Sequence, residues 1–496
     1  MHRVTNKTGT IFAWIAIAIL GFSLNAAGQG MIPIQGMPVP DLTEFDKIMS
    51  DFMKDNGIEA GLLGIMRNGV IVYQRGFGWK DSGHNELLRH DALMRIASCT
   101  KPFTAAAIQR LIADTHHLSL STRAFDVDNS GGGILDYPAF PRLNDQRYAL
   151  IELWHLLTHS GGWDRSQSGD HTYKEVEIAD DFNDGVYPPG RVKTVRWIMG
   201  RPLDFTPGAL DFPSYDPIEK YSNVGFLVLG LIVEQESGYD KKLVSYVRDK
   251  VLGPLDWVPT TELVQGKTFP AWRDPREPWY DCDKSRQNVF DPVHHPDLVD
   301  PYEYINYVIK SDGGWHHEAR VGQGGMVCST TMMLHLAENY YINVRGNFDT
   351  SYGLPTGGVR QPRSHTGNFC GTNAVVVQRS DGINFAVIFN KDGDDVKSKE
   401  GKYHKAIKKL INDEIDTPGI TWPTQGVDGQ WADFNEAAAG EGSFEKPWND
   451  LSLALNEIAW EGTLNIKPGT TSWMGTIKKK VRIRAPLGTV TIGRVP

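Results

Sequence analysis

The chain has 496 residues and a formal net charge of −9, with 40% hydrophobic and 22% charged residues. This is an ordinary globular composition with enough apolar material for a large core. The acidic balance argues against nucleic acid or an anionic membrane as a partner, because both attract basic surfaces.

The first 28 residues have the layout of a secretory signal peptide. Arg3 and Lys7 precede an apolar run over residues 11–24, and small residues follow at 26–28. This pattern predicts a secreted or periplasmic protein. An uncleaved membrane anchor is the alternative, since the run approaches anchor length. No second membrane-spanning run follows, so no span is expected after cleavage.

The predicted elements of the main part, residues 41–415, suggest one α+β architecture. A helix is predicted over 41–56, followed by a hairpin around Asn68-Gly69. A second hairpin is predicted around Asp381-Gly382, followed by a helix over 402–415. The stretch between, residues 91–336, is helix-rich. We therefore expect an antiparallel sheet built from both ends, flanked by terminal helices, with a helical lobe inserted.

The composition changes over residues 416–496. A loop-like linker leads to one short helical pattern and three β-like runs, "GTLNIKPG", "KKKVRIRAPLG" and "TVTIG". They resemble one rung of a parallel β-helix, which is too little to fold alone. We expect a small β-rich appendage docked on the main part. A surface-attachment module is the alternative reading of this segment.

The four cysteines are widely spaced and form no C-x-x-C metal or redox signature. One disulfide is compatible with an exported protein, but the spacing does not identify its partners.

The stretch "RIASCTKPFTAAAI" places Ser98 three residues before Lys101 at the start of a predicted helix. This spacing puts both side chains on one helix face, where a lysine can serve as the base of a serine nucleophile. The helix start also gathers unpaired N–H groups that favour an oxyanion. Taken alone, the pattern is weak and more typical of a serine helix cap.

Two further clusters of polar residues favour the catalytic interpretation of Ser98 and Lys101. Tyr221 and Asn223 precede a strongly apolar helical run, and His365-Thr366-Gly367 opens a predicted strand. Helix capping and a strand-edge turn are the structural alternatives. The ordered series S-x-x-K, Y-x-N and H-x-G resembles the penicillin-recognising serine hydrolases: class C β-lactamases, D-alanyl-D-alanine carboxypeptidases and family VIII esterases. Flanking stretches such as "LLTHSGGW" and "VGQGGMVCST" agree, and the resemblance covers about residues 41–415.

The resemblance implies a β-lactamase/transpeptidase-like fold and a role for each matching residue. Ser98 would be acylated, Lys101 would accept its proton, and Tyr221 would share or relay that proton; which of the last two is the base stays open. Asn223, His365, Thr366, Gly367 and Asn368 would bind substrate, with the N–H groups of Ser98 and Asn368 as the oxyanion hole. The reaction needs no cofactor and no metal.

The third motif departs from the family pattern at His365, where β-lactamases usually have a lysine that holds a substrate carboxylate. Histidine is mostly neutral near pH 7, so neutral esters or amides become the preferred substrates. Arg360 and Arg363 lie just upstream and could restore the missing charge.

The leading prediction is therefore an exported serine hydrolase of small esters, amides or peptides, of undetermined oligomeric state. The alternatives are a D-alanyl-D-alanine carboxypeptidase or D-aminopeptidase, a class C-like β-lactamase, and a slowly turning-over penicillin-binding sensor. His155 and His159 have i, i+4 spacing but lack the glutamate of H-E-x-x-H, and no G-x-S-x-G is present. Trp163 and Trp315 follow Gly-Gly pairs and are candidates for a pocket wall.

Overall fold

The computed structural model describes residues 31–209, 220–238, 242–290, 307–343, 351–393 and 403–493. The predicted signal peptide over residues 1–28 lies outside this part of the chain. The helices in these ranges are α1 Thr43–Asp55, α2 Thr100–Thr115, α3 Leu153–Leu157, α4 Glu175–Phe182, α5 Gly190–Met199, α6 Asn223–Glu236, α7 Leu243–Tyr246, α8 Thr330–Asn339, α9 Tyr403–Ile415 and α10 Leu451–Glu457. None of these helices is both long enough and apolar enough to cross a membrane.

The strands in the described ranges are β1 Ile34–Gln35, β2 Ala60–Arg67, β3 Val70–Gly78, β4 Met94–Arg95, β5 Leu263–Gln265, β6 Ser285–Gln287, β7 Tyr307–Ile309, β8 Met326–Cys328, β9 Arg363–Phe369, β10 Thr372–Gln378, β11 Ile383–Phe389, β12 Gln430–Ala432, β13 Thr463–Ile466, β14 Gly469–Thr471, β15 Arg482–Arg484 and β16 Val490–Ile492.

The central sheet has the strand order β1-β3-β2-β11-β10-β9, and its pairs are antiparallel. Both ends of the main part contribute, so the predicted α+β architecture is confirmed. Asn68 and Gly69 join β2 to β3 with φ of 51° and 79°, the positive values that a type I′ hairpin turn requires. The predicted second hairpin joins β10 to β11.

Helices cover both faces of this sheet, and two glycines of β2 make their close approach possible. A Cβ on Gly61 would lie 2.9 Å from Met53 of α1, and a Cβ on Gly64 would lie 2.9 Å from Leu334 of α8. The two positions are three residues apart and so face opposite sides of the strand. α9 packs beside α1, so α1 and α9 cover one face of the sheet and α8 covers the other.

The helical lobe is built around α2 and α6, which pack against each other. The first eleven residues of α6 are buried. A helix that is apolar all round is stable only inside a core. The small antiparallel sheet β4-β8-β5 leads into α2, and edge strand β9 packs against the turn before α2. The start of α2, the start of α6 and β9 therefore meet at one place.

The C-terminal segment forms the parallel sheet β12-β13-β15 and the parallel pair β14-β16. Its own apolar cluster contains Trp448, Leu451 and Leu464. The main core extends past residue 415, since Trp422 packs against it and Val427 belongs to it. The Val427 N–H donates to the carbonyl of Ile71 at 2.9 Å, which joins the linker to β3.

Cys282 and Cys370 form a disulfide, with Cα atoms 5.1 Å apart. Cys370 directly follows β9, so the disulfide links the end of this edge strand to the loop that contains Cys282. Cys99 and Cys328 are buried thiols. Burial raises the pKa of the Cys99 thiol, which disfavours the reactive thiolate.

Candidate active site

Ser98 lies in a short 3₁₀ turn, Ala97–Cys99, that connects β4 to α2. Ala97 has a φ of 44°, a left-handed conformation that costs a residue with a Cβ about 1 kcal/mol. The turn is held in place by neighbouring backbone, because the Ile96 N–H donates to the Met326 carbonyl at 3.3 Å. The strain is concentrated beside the predicted nucleophile, as is common at catalytic sites.

The Lys101 side chain is fully buried one turn further along, and its Nζ lies 3.1 Å from Ser98 Oγ. Nζ also lies 2.7 Å from Asn223 Oδ1 and 2.7 Å from the carbonyl oxygen of Gln323. Burial lowers the pKa of Lys101 well below its ordinary value. The structure thus favours the neutral amine that a proton acceptor requires.

The three neighbours of Nζ determine what a neutral Lys101 does. A neutral amine has two N–H donors and one lone pair. The Asn223 Oδ1 and the Gln323 carbonyl can only accept hydrogen bonds, so they take both donors. The lone pair is then left to accept the proton of Ser98 Oγ–H. With Lys101 neutral, this arrangement favours proton transfer from Ser98 to Lys101.

Tyr221 lies beside this pair, with its ring centroid 4.6 Å from Lys101 Nζ. Its hydroxyl is buried and has no hydrogen-bond partner among the described residues. Burial raises the pKa of Tyr221, and its interaction with Ser98 offsets part of that rise. The phenol therefore stays protonated near neutral pH and is placed to hand a proton on rather than to start as a phenolate.

Asn223 is the first residue of α6, and its side chain reaches into the site instead of capping the helix. Ser222 is the N-cap residue, without a side-chain capping bond. The Asn223 Nδ2 donates to Asp170 Oδ2 at 2.6 Å, while its Oδ1 faces Lys101. Asp170 was not identified from the sequence, where it lies in a loop without a recognisable motif.

Gly367 brings β9 against the nucleophile turn. A Cβ at this position would lie 2.2 Å from the Ile96 carbonyl oxygen and 2.9 Å from the Ser98 amide nitrogen. Only glycine permits this approach. The structure thus places Thr366, Gly367 and Asn368 along the strand that borders Ser98. The Asn368 Oδ1 accepts a hydrogen bond from Asn373 Nδ2 at 3.0 Å, which secures the start of β10 to β9.

His365 lies on the same strand and stacks on Tyr352, with ring centroids 6.3 Å apart and planes 12° apart. Burial, together with the charge of Lys101, lowers the pKa of His365 to about 3. The imidazole is therefore neutral at physiological pH. Arg360 forms an ion pair with Glu338, and Arg363 donates to the Asn343 carbonyl at 2.7 Å. Both arginines have partners on the protein itself.

A buried aromatic cluster adjoins the turn that carries Ser98. Trp315 and Phe369 pack with Ala97 and the Cys282–Cys370 disulfide, and Tyr173 meets Trp315 edge-on with centroids 5.7 Å apart. The sequence indicated Trp315 but gave no sign of Tyr173 or Phe369. Trp163, the other indicated tryptophan, belongs to the main core instead. Trp315 and Phe369 are each 7% exposed, so the cluster packs as core beside the nucleophile turn.

The two histidines with i, i+4 spacing have structural contacts. His155 Nδ1 accepts from the Glu152 N–H at 2.9 Å within a capping box. His159 packs against Tyr221 in a tilted arrangement, with ring centroids 4.5 Å and planes 33° apart, and burial lowers the pKa of His159 to about 3. Within the described ranges, no group of three His, Cys, Asp or Glu side chains is placed to hold a metal ion.

Comparison with known proteins agrees with this fold. The family model described as Beta-lactamase matches residues 45–408, so the chain belongs to the β-lactamase family of serine hydrolases. Esterase EstB from Burkholderia gladioli is 28% identical over 214 residues, which cover 42% of this chain and 48% of that protein. A D-aminopeptidase from Brucella ovis is 22% identical over 228 residues, which cover 46% of this chain and 37% of that protein. The chain thus spans less than half of each of these relatives.

Solved structures resemble the fold as well. A D-amino acid amidase from Ochrobactrum anthropi SV3 is 19% identical, with a TM-score of 0.48 over 74% of this chain and 97% of that one. A penicillin-binding protein homologue from Pyrococcus abyssi is 18% identical, with a TM-score of 0.46 over 77% of this chain and 79% of that one.

Proposed function

We propose that this protein is an exported serine hydrolase that cleaves small neutral esters through an acyl-enzyme. The observation that carries the proposal is the arrangement around Lys101 Nζ, which leaves the lone pair of the neutral amine for Ser98 Oγ–H. A serine with such a base can attack an ester carbonyl at neutral pH.

In the proposed reaction, Ser98 Oγ attacks the carbonyl carbon while its proton passes to Lys101. The resulting oxyanion would be held by the N–H groups of Ser98 and Asn368, on the turn and strand that Gly367 brings together. The alkoxide leaving group takes a proton from Lys101 through Tyr221 Oη. Water then attacks the acyl carbon and passes a proton through Tyr221 to Lys101. The bond from the acyl carbon to Ser98 Oγ breaks, Oγ takes that proton from Lys101, and the acid leaves.

The neutral state of His365 supports neutral substrates. A protonated lysine at this position would attract a substrate carboxylate, whereas a buried imidazole with a pKa of about 3 offers no charge. Arg360 and Arg363 do not replace that charge, because both are engaged with protein groups.

A substrate panel tests the proposal. We would measure kcat/KM for p-nitrophenyl acetate and butyrate, a D-amino acid amide, a D-Ala-D-Ala peptide and a chromogenic cephalosporin. The esters should be the best substrates. Efficient cleavage of the amide or the peptide, with esters only at background, would replace the esterase proposal by a D-aminopeptidase or carboxypeptidase. Rapid acylation by the cephalosporin without turnover would indicate a penicillin-binding sensor.

The proposal of export is supported by the Cys282–Cys370 disulfide, since such bonds persist mainly in oxidising compartments. Fractionation of cells that express the full chain tests it. We expect activity in the periplasm or the medium, and a protein whose electrophoretic mobility differs between reducing and non-reducing conditions. Activity confined to the cytoplasm would contradict the proposal.

A further inference from the structure

A carboxylate lies directly behind the residue that orders Lys101. Asp170 Oδ2 accepts from Asn223 Nδ2 at 2.6 Å. The other oxygen, Oδ1, accepts from the Thr172 N–H at 3.0 Å and from Thr172 Oγ1 at 2.7 Å. Both oxygens of Asp170 are thus used, and the carboxylate is held by its own loop in one orientation.

This arrangement decides which way the Asn223 amide points. An ionised carboxylate can only accept hydrogen bonds, so the Asn223 NH₂ group must face Asp170. The amide oxygen therefore faces Lys101, at 2.7 Å from Nζ. In the reverse orientation the NH₂ group would donate to Lys101, and the lone pair of the neutral amine would be used there rather than at Ser98.

We propose that Asp170 is a positioning residue: its carboxylate fixes the Asn223 amide so that the lone pair of neutral Lys101 is free to accept the Ser98 proton. The chain Asp170–Asn223–Lys101–Ser98 links a carboxylate to the nucleophile through an asparagine. This inference rests on the proposed roles of Ser98 and Lys101, but not on which ester or amide is the substrate.

The charged groups around Lys101 provide a second measurable effect, which is a change in the pKa of Lys101. The negative charge of Asp170 raises the pKa of Lys101 and the positive charge of Arg165 lowers it, both against a larger lowering by burial. Arg165 lies over the Tyr221 ring, with its guanidinium carbon 5.0 Å from the ring centroid. The other titratable groups that face Lys101 are Cys99, His159, Tyr221 and His365.

The experiment compares two substitutions of Asp170 in the full chain. In Asp170→Asn, the Thr172 donors hold the new amide oxygen, so the new NH₂ group faces Asn223 and turns its amide round. In Asp170→Ala, nothing imposes either orientation. We therefore expect the isosteric asparagine variant to be slower than the alanine variant, by about tenfold or more, and both to be slower than wild type.

The measurement is the rate of Ser98 labelling by a fluorophosphonate as a function of pH, which requires no knowledge of the substrate. Both Asp170 variants should also move the acidic limb to lower pH, because they remove the charge that raises the pKa of Lys101, and Arg165→Gln should move it to higher pH. Asp170→Ser would stand in for an alanine variant that does not fold. A role in packing alone would instead make the alanine variant slower than the asparagine variant.

The outcomes separate this inference from the proposed function. If Ser98 is not labelled in wild type, the proposed nucleophile is wrong. If Ser98 is labelled but Asp170→Asn labels as fast as Asp170→Ala, or faster, the positioning role of Asp170 is wrong and the nucleophile stands.

Discussion

Gly367 and Ser98 lie so close that a methyl group on the glycine would sit 2.9 Å from the Ser98 amide nitrogen. The contact joins two parts of the chain that are far apart in sequence, the nucleophile turn and edge strand β9. The proposed oxyanion hole depends on this approach, because its two N–H groups belong to these two segments.

Gly367→Ala should therefore reduce kcat by roughly a hundredfold or more, since loss of a single oxyanion donor has effects of that size. The new methyl group would also meet the Ile96 carbonyl oxygen at 2.2 Å, so the strand must shift. Gly132→Ala is the matched control, because its Cβ would meet nothing closer than Ser130 Oγ at 3.3 Å. Near-wild-type kcat in Gly367→Ala would exclude β9 from the oxyanion hole.

Ser98→Ala should abolish hydrolysis and leave the fold intact. Loss of a covalent nucleophile lowers kcat by several orders of magnitude, while Ser98 makes few contacts that support the core. We would measure turnover of p-nitrophenyl butyrate, labelling by a fluorophosphonate, and the circular dichroism spectrum. A variant that keeps its activity would remove Ser98 from the mechanism.

Lys101 should control the acidic limb of the pH–rate profile. The neutral amine is the active form, so kcat/KM should fall as pH decreases through the lowered pKa of Lys101 and rise above it. Lys101→Met removes the base and should abolish the limb together with most of the activity. Lys101→Arg keeps the charge but cannot lose its proton near neutral pH, and should also be inactive. An active Lys101→Arg enzyme would point to Tyr221 as the base.

His365→Lys should shift specificity toward substrates that carry a carboxylate. A charge-assisted hydrogen bond contributes roughly 1.5–3 kcal/mol, which corresponds to about ten- to a hundredfold in affinity. We would compare the ratio of kcat/KM for a cephalosporin to that for p-nitrophenyl butyrate in wild type and variant. His365→Gln serves as a neutral control. An unchanged ratio would mean that His365 does not face the part of the cleft that binds a carboxylate.

The thermal stability of a protein truncated in its C-terminal segment should depend strongly on where the chain ends. A chain ending at Asp416 loses Trp422 and Val427, which pack in the main core, and should have a lower melting temperature than one ending at Asp428. Both should retain the active-site residues. Thermal unfolding and ester hydrolysis of the two proteins check this. Loss of activity in a folded chain ending at Asp428 would assign a catalytic role to the C-terminal sheets.

The sequence by itself was sufficient to predict features that depend on local interactions. Asn68-Gly69 predicted its hairpin because only a few residue types adopt two successive positive φ values. Ser98 and Lys101 are three residues apart at a helix start, so their proximity follows from helix geometry. The order of three motifs was enough to indicate the family and the α+β fold.

The tertiary structure decided what depends on distant segments. Four cysteines allow six different single disulfides, and only the folded chain joins Cys282 to Cys370. Arg360 and Arg363 were candidates for a substrate carboxylate until the fold placed protein partners beside them. Asp170 reaches Asn223 across 53 residues of sequence, a contact that no local pattern encodes. The protonation states of Lys101 and His365 follow from burial, and burial belongs to the assembled core rather than to any one segment.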